Sequence, residues 1–330
     1  MASVTARQVV LSLILVASTP CASGITIDIQ FVGDAVSAGF FTPERESVIQ
    51  AAGTYVGSRL SDRLAAIHPV GEESFLGSTF YPGTGKGSAR ISSVPADTLV
   101  VFVGANDAFG ASTLAVGSPG GTSASGDEAF VSLARNRGQG PGTDFGPWGG
   151  SIAFNPGFNW YADPDPSTVE SFSGWDLFST AIHELGHLLG YGTATSWSNQ
   201  VVDQVVDKVV TGANARSAFG GPVPLADRWH WASGLQSLAL GGSQEAAMDP
   251  TLSAGTRKYF TELDWAGLAD VGWEVVPGAA LSSETAFASA SIPAAPAASM
   301  TPTPLPASVV LLGTALVLTA GLRRRAQPPP

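Results

Sequence analysis

The residues of this chain with the clearest chemical potential are two histidines and a glutamate that lie close together, His183, Glu184 and His187. Histidines four residues apart project from neighbouring turns of one helix face, so both imidazoles can reach a single zinc ion. The glutamate between them lies close enough to take a proton from a water molecule that the ion activates. This HExxH spacing predicts zinc-dependent hydrolysis, with the histidines as ligands and Glu184 as the general base.

A helix from Asp176 to Leu189 is predicted to present these three side chains. Asp176 suits the N-cap, and Gly190 can end the helix in a left-handed conformation. The apolar residues fall in one arc of the helical wheel, opposite the arc that carries the predicted metal site. These apolar residues are Phe178, Ala181, Ile182, Leu185, Leu188 and Leu189.

A catalytic zinc ion usually has three protein ligands, so a third ligand must come from outside this helix. The chain has two further histidines, His68 and His230. His68 follows an early predicted helix, where a surface histidine is the favoured interpretation. His230 lies downstream of the active helix, and Asp227 and Glu245 compete with it because carboxylates also bind zinc.

The order of these elements resembles that of the leishmanolysin-like metallopeptidases of the metzincin clan. The shared order is an HExxHxxG helix, a long insertion, a His-Trp pair and then Glu-x-x-Met, here at 183–190, 230–231 and 245–248. The chain departs from short-spaced metzincins, which carry their third ligand where Thr193 stands. The resemblance implies that His230 is the third zinc ligand and that Met248 forms the tight Met-turn beneath the ion.

The resemblance extends to Thr261–Trp273, which looks like the last helix of secreted bacterial relatives. Thr261 and Asp264 form a predicted capping pair, and Gly272 a predicted C-cap. The implied fold is α+β and metzincin-like. It has a mixed twisted sheet with a backing helix and an active-site helix, followed by a Met-turn subdomain and a C-terminal helix.

Upstream of the motif, hydrophobic patterns predict the elements that must hold the active helix. Ile25–Phe31 alternates between apolar and polar residues, as a half-buried strand does, and Thr98–Gly104 has the apolar run of a central strand. Pro43–Ile67 is predicted to be one helix, because proline fits its first position and its apolar residues form a stripe. Gly150–Asn155 is predicted to be a short strand. The resemblance implies that Ser151–Asn155 is the edge that pairs with an extended peptide.

The two ends of the chain are predicted to lie outside the fold. Residues 1–23 have the arginine, apolar run and small residues of a secretory signal peptide, and they contain the only cysteine, Cys21. The catalytic domain is expected at 24–276, followed by a flexible linker rich in proline, alanine and serine at 277–304. The segment 305–330 joins LPAS to an apolar run and three arginines.

This last segment resembles the PEP-CTERM sorting tails of the VPLPA type. The resemblance implies export in a Gram-negative bacterium, transient anchoring in the membrane by the tail and cleavage by an exosortase-type enzyme. The protein would then lie at the cell surface, in the extracellular matrix or in the medium. A simple tail anchor is the alternative interpretation.

Other candidate sites and partners are weaker. The formal net charge of −11 argues against nucleic acid as a partner, since binding to phosphates requires a basic face. Residues 163–165, with sequence DPD, suit Ca²⁺, although a solvated loop is the favoured interpretation. Tyr259 is the candidate to assist an oxyanion, against the favoured alternative of a packed aromatic residue at the surface.

The function predicted from the sequence is therefore that of an exported zinc-dependent endopeptidase that acts on protein or peptide substrates. Glu184 would take a proton from water while zinc polarises the peptide carbonyl. One rival is a non-catalytic surface or matrix protein that keeps the metalloprotease fold, and another is a zinc hydrolase of non-peptide substrates. Intact Glu184 argues against the first rival, because a structural zinc site needs no base.

Overall fold

The computed structural model describes residues 24–276, apart from 164, 166, 169, 205–207 and 241. The predicted signal peptide, linker and sorting tail lie outside the described residues. In the part of the chain that the structure describes, no helix combines the length and the apolar character that crossing a bilayer requires.

The described residues form a mixture of helices and strands, as the predicted α+β class requires. The helices are α1 (Ala35–Phe40), α2 (Pro43–Gly57), α3 (Glu128–Asn136), α4 (Leu177–Leu188), α5 (Thr195–Ser198), α6 (Ala213–Phe219) and α7 (Glu262–Val271). The strands are β1 (Thr26–Phe31), β2 (Ser74–Phe80), β3 (Ser88–Ile91), β4 (Thr98–Ala105), β5 (Ala115–Pro119), β6 (Gly121–Ser125), β7 (Gly149–Phe154), β8 (Trp160–Tyr161), β9 (Trp175–Asp176), β10 (Val201–Asp203), β11 (Lys208–Val210), β12 (Val223–Leu225), β13 (Gln236–Ala239) and β14 (Gly242–Glu245).

The main sheet has the strand order β1-β4-β7-β5. The first three strands are parallel, and β5 runs antiparallel to β7. The central strand β4 is buried on both faces because its side chains alternate between two apolar clusters. Leu99 and Val101 belong to the cluster shared with α2 and α4, whereas Val100 and Phe102 pack with Trp148 on the opposite face.

Helix α2 packs against both β1 and α4, so it backs the sheet and the active helix together. The opposite face of the sheet is covered by the small antiparallel sheet β3-β2-β6 and by α3. The active helix α4 is thus held in the main core. The predicted strands at 25–31, 98–104 and 150–155 are confirmed within one or two residues of their bounds.

The prediction of one helix from Pro43 to Ile67 is wrong, since α2 ends at Gly57. The chain then runs as an irregular segment in which Leu60 bridges Val275 and Ile67 bridges Val94. These long-range backbone contacts satisfy the peptide groups that a longer helix would have satisfied internally. Gly57 also lies so close to the carbonyl of Ile25 that no side chain fits there.

The prediction that Ser151–Asn155 forms the peptide-binding edge is also wrong. Strand β7 lies between β4 and β5, and its residue Ser151 is buried, with its hydroxyl 2.7 Å from that of Thr79. The outermost strand on this side is β5, whose residues Ala115–Pro119 reverse the chain direction against β7. A short segment rich in small residues, with sequence AVGSP, gave no strand signal, so the sequence alone did not reveal this edge.

The C-terminal part follows the prediction closely. Helix α7 begins with a capping box, in which the hydroxyl of Thr261 accepts from the amide of Asp264 and the carboxylate of Asp264 accepts from the amide of Thr261. Gly272 ends the helix at a φ of 121°. Between α4 and α7 lie the small sheet β10-β11-β12 and the hairpin β13-β14.

Arg137 holds the loops that enter the main sheet. Its guanidinium is fully buried and donates to the carbonyl oxygens of Ala65, Pro95, Thr98 and Pro147. Thr98 is the first residue of β4, and Pro147 lies two residues before β7. A single side chain therefore fixes the starts of both strands.

Replacing Arg137 by leucine is expected to lower the free energy of unfolding by about 3 kcal/mol or more, because several buried carbonyls lose a charged donor. Urea denaturation followed by circular dichroism measures this change. The matched control is the exposed Arg135 on the same helix end, whose replacement by leucine is expected to change stability by less than about 0.5 kcal/mol. Equal stability of the two variants would contradict the assigned role.

Candidate metal centre

Helix α4 carries His183 and His187, and its N-terminus is held in place by hydrogen bonds and an ion pair. The carboxylate of Asp176 caps the helix by accepting from the amide of Ser179 at 3.0 Å. The same carboxylate is held by Arg257, whose Nη2 and Nε lie 2.9 and 3.0 Å from its two oxygens. Gly190 ends this region with a φ of 117°, which a residue without a side chain adopts at little cost. The predicted N-cap and terminating glycine are both confirmed.

Three histidines converge beside this helix. The Nε2 atom of His187 lies 3.2 Å from Nε2 of His183 and 3.1 Å from Nε2 of His230. The candidate ligand atoms of all three residues lie within 4.8 Å of one another. His230 belongs to the irregular segment after β12, so residues about forty positions apart in the chain meet at one point.

The second ring nitrogen of each histidine fixes the direction of these Nε2 atoms. Nδ1 of His183 lies 2.7 Å from the carbonyl oxygen of Ala247, and Nδ1 of His187 lies 3.1 Å from that of Tyr191. These oxygens can only accept, so each Nδ1 must carry the proton. Each Nε2 then directs a lone pair toward the same point.

Convergent lone pairs repel each other unless a cation lies between them. Tetrahedral coordination at the usual zinc–nitrogen distance would separate the ligand nitrogens by about 3.3 Å, close to the spacings seen here. The residues therefore fit a divalent metal ion. Three imidazole ligands suit zinc, and they also suit other first-row transition metals.

The competing third ligands have other partners. Both carboxylate oxygens of Asp227 lie within 3.0 Å of Nδ1 of His230, so Asp227 orients this histidine from behind. Glu245 forms an ion pair with Lys258 at 2.8 Å. His68 is exposed and outside the cluster, as predicted. Thr193 donates its hydroxyl to the carbonyl of His187 at 2.8 Å, which helps to hold the turn after the helix.

Glu184 lies beside the cluster in a protected position. Its side chain is buried, and this burial raises its pKa to about 8, while a hydrogen bond from the backbone amide of Gly117 acts in the opposite direction. A side chain on Gly117 would have its Cβ 2.6 Å from the carbonyl oxygen of Glu184. Glycine at this point of β5 is therefore required for the edge strand to approach the active helix.

Met248 lies beneath the histidines. It is fully buried, and its sulfur occupies the space that a side chain on Gly186 would need. The residue thus packs directly against the helix between His183 and His187.

The histidines and Glu184 line a cleft of about 590 Å³. One wall is formed by residues 111–117, which include most of β5, and another by residues 249–252 after Met248. Aromatic side chains border the cleft, with Phe158 and Trp175 at 5.0 Å between ring centroids. Trp229, next to His230, is about half exposed at the rim.

Two further candidates from the sequence do not contribute to the cleft. Tyr259 is buried against Phe178, at 5.7 Å between ring centroids, on the core side of α4. It is absent from the lining of the cleft and lies in the core rather than at the surface, so neither assistance to an oxyanion nor the surface alternative agrees with its position. In the loop at 163–165, Asp163 is paired with Arg257 at 3.0 Å, and Asp165 accepts from the amide of Ser167.

Comparison of the chain with protein-family models, with curated proteins and with solved structures finds no match. The site therefore has to be interpreted from its own geometry.

Sequence reasoning missed Gly117 and the carbonyl of Ala247. Both act through the backbone, which leaves no residue-type signature at the site. The signal that was available for Ala247 is its place directly before Met248 in the predicted Met-turn.

Removing the distant ligand is expected to weaken metal binding. His230→Ala should raise the dissociation constant for Zn²⁺ by more than the roughly 10–100-fold that loss of an outer-shell partner costs. Competition with a chromophoric chelator measures the constant. The control His68→Ala removes an exposed histidine and is expected to bind zinc like the parent protein. Unchanged affinity in His230→Ala would exclude His230 as a ligand.

Proposed function

We propose that the protein is a zinc-dependent endopeptidase of the leishmanolysin-like metzincin type. The observation that carries this proposal is a buried carboxylate, Glu184, beside three convergent imidazole nitrogens in a cleft that is bordered by an outer strand. A metal site with a structural role alone needs no carboxylate of this kind.

Zinc bound to the three histidines would polarise the substrate carbonyl and lower the pKa of a water molecule. Glu184 takes a proton from this water as the water attacks the carbonyl, and passes it to the leaving amine. The amide of Gly117 holds the carboxylate in orientation throughout. Burial raises the pKa of Glu184, which makes its carboxylate a stronger base than that of an exposed glutamate.

The shape of the cleft favours an extended peptide as substrate. Strand β5 pairs with β7 along one edge, and in the described sheet no strand pairs with its other edge. A peptide in extended form can add to such an edge through main-chain hydrogen bonds. This binding mode would lay the scissile bond across the cleft beside Glu184. It supports peptide cleavage over hydrolysis of a compact non-peptide substrate.

The proposed family assignment rests on the order of the site residues and on Met248 beneath the helix. The chain departs from short-spaced metzincins at Thr193, whose hydroxyl is bound to the backbone. Export, brief anchoring by the C-terminal tail and processing by an exosortase-type enzyme belong to the same proposal. They rest on the sequences of 1–23 and 305–330 alone.

Replacing the base should separate catalysis from metal binding. Glu184→Gln keeps the size and the hydrogen bond from Gly117 but cannot accept a proton, so kcat/KM for an internally quenched peptide library should fall by about 10²–10⁴-fold. Zinc content, measured by plasma emission spectrometry, should stay at one ion per chain.

The parent protein stripped of metal by a chelator is the reference for zero activity. Activity in Glu184→Gln equal to that of the parent would contradict the base assignment. A parent protein that binds zinc but cleaves no member of the library would contradict peptidase function itself.

The close approach of β5 to the active helix generates a further prediction. Gly117→Ala should lower kcat/KM by about 10²-fold, because its Cβ displaces the edge strand from Glu184. The control Gly110→Ala lies just before the cleft wall formed by residues 111–117, and its Cβ meets no atom within 4 Å. It should keep the activity of the parent. Equal kinetics of the two variants would show that the strand position does not matter for catalysis.

A further inference from the structure

Asp264 is a fully buried carboxylate on the first turn of α7, away from the cleft. Its Oδ2 accepts from the amide of Thr261 at 2.8 Å, from the hydroxyl of Thr261 at 2.8 Å and from the amide of Ala247 at 2.9 Å. Its Oδ1 accepts from the amide of Met248 and from the indole Nε1 of Trp231, both at 3.1 Å. Donors from three separate segments therefore meet on one side chain.

Helix capping explains only part of this arrangement. A capping box needs the reciprocal bonds between Thr261 and Asp264. The bonds from Ala247, Met248 and Trp231 are additional, and they come from residues that have no part in starting α7. Asparagine could not replace Asp264 as the acceptor. The NH₂ group of its amide would face the N–H or O–H donors that one carboxylate oxygen of Asp264 accepts from.

Two of the additional partners lead directly to metal ligands. Ala247 donates its amide to Asp264 and accepts, through its carbonyl, from Nδ1 of His183 at 2.7 Å. Trp231 follows His230 in the chain, and its backbone amide donates to the carbonyl of Met248 at 3.0 Å. The indole of Trp231 is also fully buried and closely packed. A movement of Asp264, to which its Nε1 donates, would therefore move the backbone beside His230.

We propose that Asp264 is a positioning residue for the metal site. It fixes the peptide unit that orients His183 and the tryptophan that places His230, so that ligands from two distant segments are held at the spacing a metal ion requires. This inference rests on the proposed metal site, but it does not depend on peptide cleavage. Outer partners of metal ligands typically contribute about 10–100-fold to metal affinity.

The experiment compares Asp264→Asn with Thr261→Val in the full-length protein. Asp264→Asn presents a donor where donors already converge, whereas Thr261→Val removes one cap and leaves the bonds from Ala247, Met248 and Trp231 in place. Three quantities are measured for each variant: the dissociation constants for Zn²⁺ and Co²⁺ by chelator competition, the visible absorption spectrum of bound Co²⁺, and the Tm of the metal-free protein.

The expected result is that Asp264→Asn binds both ions about 10–100-fold more weakly and shifts the Co²⁺ spectrum. Thr261→Val should have a lower Tm than the parent but the parent's affinities and spectrum. If both variants lose affinity only in proportion to their loss of Tm, or if Asp264→Asn binds metal like the parent, the positioning role is overturned.

Trp231→Phe provides the second variant in case Asp264→Asn does not fold. It keeps a buried aromatic ring, removes the Nε1 donor to Asp264 and trims the ring that packs on Tyr191 and Trp197. A shifted Co²⁺ spectrum with weaker metal binding is expected. An unchanged spectrum and affinity would overturn the proposal. A parent protein that binds zinc tightly but cleaves no peptide would contradict the proposed function and leave this inference standing.

Discussion

Three imidazole lone pairs that point at one another need a positive charge between them. In this protein they come from two turns of α4 and from the segment after β12, and their nitrogens lie 3.1 and 3.2 Å apart. A bound ion would therefore join segments that have no covalent cross-link, since the only cysteine is Cys21, within the predicted signal peptide. In such a protein, metal binding and stability of the native state are coupled.

The main sheet and α2 position this site because they hold α4 at a fixed place in the core. Helix α2 and strand β7 pack against α4, and β5 approaches it closely at Gly117. The same approach buries Glu184 and gives it one backbone donor. The raised pKa of this carboxylate and the shape of the cleft thus both depend on the position of the edge strand.

Buried charges organise the irregular parts of the structure. Arg137 gathers carbonyls at the starts of two strands, Arg257 joins Asp176 to Asp163, and Asp264 gathers donors beneath the histidines. No buried side-chain nitrogen or oxygen in the described part of the chain lacks a hydrogen-bond partner. Loops without regular secondary structure can hold a precise site under these conditions, because each polar group has a defined partner.

The sequence by itself determined the elements whose hydrogen bonds are local. The active helix, its cap at Asp176 and the capping box of α7 follow from helical periodicity and from side chains a few residues apart, and the apolar run of β4 marks a central strand. Tertiary structure alone decided the end of α2, the identity of the edge strand and the contacts of Asp227, whose carboxylate faces Nδ1 of His230. These features depend on backbone pairing between distant segments, such as Leu60 with Val275 and β5 with β7. Such pairing depends on how the whole chain folds. The short segments that take part show no periodic pattern of apolar residues from which it could be predicted.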